Sequence, residues 1–432
     1  MRRVIPDVRL MFTDFKQPER QKRRRNRIKK LLLALCGFLA GCFAAEIALR
    51  IVDYSYPYFY TTDFDRGYSP RPNQEGWFWV ENKNYIKINS EGLRDREHSK
   101  TKPAGTLRIA VLGDSFAEAK EVPMEQTFWS VMEQKLNDEC PALAGKKVEV
   151  INFGVAGYGT AQELITLRRK VWEYSPDVVL LLVTPYNDIA DNYRPLKGVD
   201  EVPYFIYQDG NLVDETSFRD SNKYRKHDSN LFRFWVGLHN GSRLVQLIHH
   251  AQETTRLKIS LWKEKRNASE PAKSPAGSPE TAPPPKVTAQ AVGMHNLVYL
   301  EPADYNWNEA WRVTEGLIVQ MRDEVRRKGV KFMAAAVSID TQVHPSKEFR
   351  EAFMKRLGVE HLFYPNRRLE AFAQRENIMF LDLAPPMQAF AEQNNVYLHG
   401  FGENYGGAHL NPAGHFLAGQ LLTQKLCESF SN

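Results

Sequence analysis

Cysteine is scarce, with four in 432 residues, which excludes a small scaffold held together by disulfides. No Gly-Lys-Ser/Thr follows a glycine-rich turn, so a phosphate-cradling loop has no support. No Cys/His cluster carries zinc-site spacing, and His409 and His415 do not match the two-histidine helix pattern. Neither a metal nor a cofactor is expected. There is no internal repeat. The folded body also lacks positive charge. Residues 1–30 hold 12 Lys/Arg against Asp7, Asp14 and Glu19, so of a net charge of +6 this tail supplies +9 and the other 402 residues sum to −3. A nucleic-acid-binding domain would carry its basic face on the fold itself, so no nucleic-acid partner is expected. What the chain does have is 43% hydrophobic and 12% aromatic residues, ample for a large core.

The N-terminus reads as a membrane device. The basic tail 1–30 stops abruptly at an uncharged run from Leu31 to Ala45, and an apolar stretch continues to Val52, broken only by Glu46 and Arg50. Residues 31–52 are long enough to cross the hydrocarbon core, for which about 20 residues suffice. Glu46 and Arg50 are four apart and can pair on one helical face. Tyr54, Tyr56, Tyr58, Phe59 and Tyr60 follow as an interfacial aromatic belt would. The positive-inside rule keeps the tail cytoplasmic and exports the rest. The reading is a single-pass anchor in a bacterial inner membrane, with the main domain in the periplasm. Two others stay open: a lipid anchor on Cys42, after Leu39-Ala40-Gly41, and a cleaved secretory signal.

Residues 53–106 contain Pro57, Pro70, Pro72 and short alternating pieces around Trp77, Trp79, Tyr85, Ile86 and Ile88, which predict a β-rich lead-in. From Leu107 strands alternate with helices. Strands are predicted over 107–112, 148–153, 178–183, 330–337 and 378–383, with helices near 125–136, 161–174, 307–328, 367–375 and 412–427. That alternation implies βαβ units and a parallel sheet. The domain 107–432 is interrupted by an insertion over 190–300, within which 265–292 is rich in Pro, Ser and Ala and reads as a disordered loop.

Ligands on such sheets bind beyond the carboxyl ends of the strands, and that is where the reactive residue types fall. Ser115 sits in Gly113-Asp114-Ser115 after the first strand, where the start of the following helix favours a developing anion. A glycine-rich turn, Asn152 to Gly159, follows the second, and its backbone N–H groups are candidate donors to an oxyanion. Asn187 follows the third. His409 precedes the last helix in Ala408-His409-Leu410-Asn411, and histidine suits proton transfer at neutral pH. Each feature alone also fits ordinary turn and capping chemistry.

Taken in order, Gly113-Asp114-Ser115, Asn152 to Gly157, Asn187-Asp188 and His409-Leu410-Asn411 resemble the four sequence blocks of the SGNH (GDSL-type) hydrolase superfamily over about 107–427. The resemblance implies an α/β, flavodoxin-like, three-layer fold with a parallel sheet of order 2-1-3-4-5, here with an N-terminal transmembrane helix and a large insertion after strand 3. It implies an acyl-enzyme mechanism on esters. Ser115 would be the nucleophile and His409 the general base. The N–H groups of Ser115 and Gly157 and the side chain of Asn187 would form the oxyanion hole. The family usually has Asp three residues before the histidine; here Gly406 stands there, and Glu403 is the nearest upstream acid to take its place. In the implied sheet order the helices ending at Cys140 and Cys427 lie side by side, so a Cys140–Cys427 disulfide is expected, the alternative being two unrelated buried thiols. The expected function is a membrane-anchored extracytoplasmic serine esterase with an ester or glycan substrate, such as O-acetyl groups on glycans. An O-acyltransferase, a lipase or thioesterase, and a catalytically degenerate glycan-binding scaffold are the alternatives.

Overall fold

The computed structural model describes residues 17–268 and 292–431. Most of the proline-rich segment 265–292 and the first part of the basic tail lie outside them. The described residues divide into two compact units, 17–55 with 238–268, and 56–237 with 292–431.

The first unit is built on the helix Gln17–Ile51. Its stretch Lys22–Ile51 is long and apolar enough to cross a bilayer. Near its end Glu46 and Arg50 pair at 2.8 Å, as their spacing predicts. Glu46 also accepts the N–H groups of Arg243 and Leu244 and the Ser242 hydroxyl. It thereby caps the helix Arg243–Ala268, satisfying donors that have no partner inside that helix. The end of this helix corrects the expected loop: 265–268 are helical.

In the second unit the strands are β1 Tyr60–Asp63, β2 Gly67–Pro70, β3 Glu75–Phe78, β4 Asn84–Lys87, β5 Thr106–Leu112, β6 Lys147–Asn152, β7 Val178–Val183, β8 Tyr204–Gln208, β9 Asn211–Glu215, β10 Lys331–Ala336 and β11 Met379–Asp382. Five of them form a parallel sheet in the order β6-β5-β7-β10-β11. Numbered within the sheet, that is 2-1-3-4-5. Side chains alternate across it. Ile109 and Val111 of β5 pack with Trp129, Met132, Leu422 and Leu426 on one face; Ala110 and Leu112 pack with Leu164, Trp311 and Met321 on the other. Because helices cover both faces, β5 and β7 are near-continuous apolar runs.

The segment before the sheet holds two antiparallel hairpins, β1–β2 and β3–β4. The insertion holds regular structure ahead of the proline-rich segment. It contains the β8–β9 hairpin, turned by Asp209 and Gly210 with left-handed φ of 50° and 81°, and the helix Asn222–His227, capped by the Ser221 hydroxyl. No proline lies between 204 and 270 to interrupt helix. Cys140, at the end of helix Phe128–Glu139, is bonded to Cys427 of helix Pro412–Ser431, with Cα atoms 5.7 Å apart.

Candidate active site

The rim beyond the carboxyl end of β5 begins with Asp114. Its side chain caps the short helix Ser115–Glu118 by accepting the Phe116 N–H at 2.9 Å. The same carboxylate accepts from the Thr184 hydroxyl at 3.0 Å and the Asn187 amide at 2.8 Å. Asp114 therefore ties the turn after β5 to the turn after β7. Burial pushes its carboxyl above the usual range, against the hydrogen bonds from Asn187, Phe116 and Thr184. Ser115, next in sequence, is half-buried among fully buried neighbours, so its hydroxyl faces the rim.

The glycine-rich turn lies against this helix. The Val155 N–H donates to the Gly113 carbonyl at 3.1 Å. A Cβ on Gly154 would stand 2.4 Å from Ala117 Cβ, which only glycine avoids. Gly157 adopts a left-handed φ of 78°. Among the described residues neither the Ser115 N–H nor the Gly157 N–H has a hydrogen-bond partner. Asn187 has two amide hydrogens, and Asp114 engages one.

His409 completes the cluster. Its Nε2 is 2.8 Å from Ser115 Oγ, and its ring packs against Phe116 with centroids 4.9 Å apart. Its Nδ1 is 2.8 Å from Glu81 Oε1, while Glu81 Oε2 accepts the His409 backbone N–H at 3.2 Å. This corrects the expectation for the orienting acid. The carboxylate at Nδ1 belongs to Glu81, at the β3–β4 turn, and Glu403 lies exposed in the short helix Gly402–Asn404. Asn82 and Asn84 pin the β3–β4 hairpin by donating to the carbonyls of Glu121, Lys120 and Val122. Gly406 has φ of 86°, and a Cβ there would stand 2.8 Å from the His344 ring. An aspartate at that position would be strained and would have to displace the His344 ring, and the acid here comes from another part of the chain.

A second carboxylate, Glu121, lies 3.6 Å from Nδ1. Burial raises its carboxyl pKa despite the neighbouring imidazole, whereas the contacts with His409 outweigh burial and lower that of Glu81. Glu81 is thus the acid that stays charged. Burial opposes protonation of His409, but the bond to Glu81 and the fields of Glu121 and Asp114 outweigh it and push the imidazole up to about 9. The candidate ligand atoms of Glu81, Glu121 and His409 lie within 4.8 Å of one another. Both ring nitrogens of His409 are already engaged, by Glu81 and Ser115. His415, by contrast, is buried, accepts the Phe128 N–H at 3.2 Å and is pushed down by burial to about 3. It is a packed neutral ring.

No sequence family matches the chain, and no curated protein does. Solved structures similar to it include a lipolytic protein of the G-D-S-L family from Desulfitobacterium hafniense, at 11% identity and a TM-score of 0.32, covering 74% of this chain and 98% of that one. The acetylxylan esterase Axe2 from Geobacillus stearothermophilus matches at 11% identity and a TM-score of 0.35, covering 74% and 94%. An acylhydrolase from Bacteroides fragilis matches at 14% identity and 0.31, covering 75% and 88%. At these identities the chemistry of one chain does not transfer to another. The chain has an α/β fold with a flavodoxin-like parallel sheet in the order 2-1-3-4-5, and the four motifs lie on the loops around it.

Proposed function

We propose that this is a serine esterase working through an acyl-enzyme. The observation that carries the reading is the hydrogen-bonded series Glu81–His409–Ser115, with both contacts to the imidazole at 2.8 Å. An ionised Glu81 fixes the proton on Nδ1 and leaves the Nε2 lone pair for the serine hydroxyl. As Ser115 Oγ bonds to the ester carbonyl carbon, its proton passes to Nε2. The negative charge on the carbonyl oxygen is met by the N–H groups of Ser115 and Gly157 and the free amide hydrogen of Asn187. Collapse breaks the ester bond, and His409 returns the proton to the departing alcohol. Water, deprotonated by the same nitrogen, then releases the acid.

The substrate reading is O-acyl esters of glycans, acetyl esters foremost, acted on outside the cytoplasm. The reading of residues 31–52 as an anchor, with the domain 107–432 in the periplasm, is part of the same proposal and is supported by an apolar helix that follows a basic tail. A fluorophosphonate probe on the full-length protein tests the chemistry. Labelling that disappears in Ser115→Ala supports it, and absence of labelling in the folded wild type at alkaline pH overturns it.

A further inference from the structure

The second unit contains a cavity of about 320 Å³ in which the proposed ester chemistry uses no residue. Tyr58, Tyr60, Tyr68, Tyr224, Phe232 and Val236 supply most of its apolar wall. Its size is at the lower end of small-molecule sites. Two of the basic side chains around it have a carboxylate neighbour. His227 lies 2.9 Å from Glu201, and Arg233 lies 2.5 Å from Asp228. Arg71 also lines the cavity, and no carboxylate pairs with it among the described residues. Its buried Nε has no partner, and its one side-chain bond is a long contact from Nη2 to the Tyr60 carbonyl, at 3.5 Å. A cation beside apolar surface without a counter-charge is costly, and an anionic ligand would offset that cost.

We propose that this cavity binds an amphiphilic anion: an acyl chain held among the tyrosines, with a single carboxylate or phosphate head at Arg71. The two head groups share the chemistry that a planar guanidinium recognises. Tyr58 follows closely in sequence on the apolar helix ending at Ile51, which makes bilayer lipid one source and free fatty acid the other. The wall also touches the glycine-rich turn. Tyr68 donates to the Ala156 carbonyl at 2.8 Å, and Tyr60 donates to the Glu118 carboxylate that accepts the Ala156 N–H. A bound chain would press on the residues that hold Gly157 in place. The proposal does not depend on the ester chemistry at Ser115, and its readout is binding.

The test uses the full-length protein in phosphatidylcholine vesicles, with three photo-crosslinkable probes: dodecanoate, phosphatidylglycerol and the neutral dodecanol. Cross-links are mapped by mass spectrometry. The expected result is saturable labelling of peptides containing Tyr58–Arg71 or Tyr224–Val236 by at least one anionic probe. Arg71→Gln should weaken that labelling about tenfold, as loss of one charge-assisted contact would, and leave dodecanol unchanged. Val236→Trp, which fills the cavity, should abolish it, with the melting temperature reporting that each variant is folded. Labelling by phosphatidylglycerol alone identifies bilayer lipid, and competition by free dodecanoate identifies a fatty acid; either supports the proposal. Absence of cavity cross-links, or anionic labelling that is equal in wild type and folded Arg71→Gln, overturns it.

Discussion

Glu81 holds Nδ1 of His409 at 2.8 Å across 328 residues of sequence. The acid comes from a hairpin that precedes the parallel sheet, and the histidine from the loop before the last helix. That hairpin therefore belongs to the proposed reaction centre. A domain cut at the first strand of the sheet would keep Ser115 and His409 and lose the group that fixes the imidazole.

Glu81→Gln should reduce kcat/KM for p-nitrophenyl acetate by roughly 10²–10⁴-fold, because an amide neither fixes the Nδ1 proton nor stabilises the imidazolium. Glu403→Gln should leave kcat/KM within error of wild type. The reverse pattern would return the orienting role to Glu403.

The pH profile follows from the same contact. His409 accepts the serine proton only when neutral, and its neighbours push it up to about 9. Wild-type kcat/KM should therefore rise through neutral pH and level off near that value. Removing the Glu81 charge moves the imidazole back toward its ordinary range, so the rising limb of Glu81→Gln should shift to lower pH even as its plateau falls. A limb that does not move with Glu81 would mean that another group titrates.

Gly406→Asp places an acid three residues before His409. The left-handed backbone and the His344 ring 2.8 Å from the new Cβ oppose it. The substitution should cost about 1–3 kcal/mol in stability, seen as a lower melting temperature. It should not restore activity to Glu81→Gln. Recovery in the double variant would show that the loop accommodates the side chain after all.

The Cys140–Cys427 bond closes a loop with a sequence separation of 287 residues. By chain entropy such a crosslink stabilises the fold by roughly 5 kcal/mol. The denatured, unreduced full-length chain should show two reactive thiols, Cys36 and Cys42, and reduction should raise the count to four. Melting should move to lower temperature in Cys140→Ser/Cys427→Ser.

The sheet was legible because its strands are covered on both faces. Buried runs such as Val178–Val183 need no partner to be recognised, and the predicted strands fall within a residue of those observed. Ser115, the glycine-rich turn, Asn187 and His409 were legible because each follows or precedes a regular element at the same rim. Glu81 was not. It lies outside the α/β alternation, and its pairing with His409 is a tertiary contact that no local pattern encodes. Glu403 is close to His409 in sequence, which says little about position across a loop turned by Gly402 and Gly406. The β8–β9 hairpin did have a local signal, Asp209-Gly210 between alternating residues. The apolar strand Tyr204–Gln208 was hidden by the polar composition of the insertion around it, and its partner Asn211–Glu215 carries only two apolar residues.

The most direct measurement is rapid-quench mass spectrometry of the full-length protein reacting with p-nitrophenyl acetate above pH 9. A transient acetyl group is expected on the peptide carrying Ser115, formed more slowly in Glu81→Gln and absent in His409→Ala. Ester turnover that continues in Ser115→Ala, or acetyl found only on other residues, would contradict the acyl-enzyme mechanism.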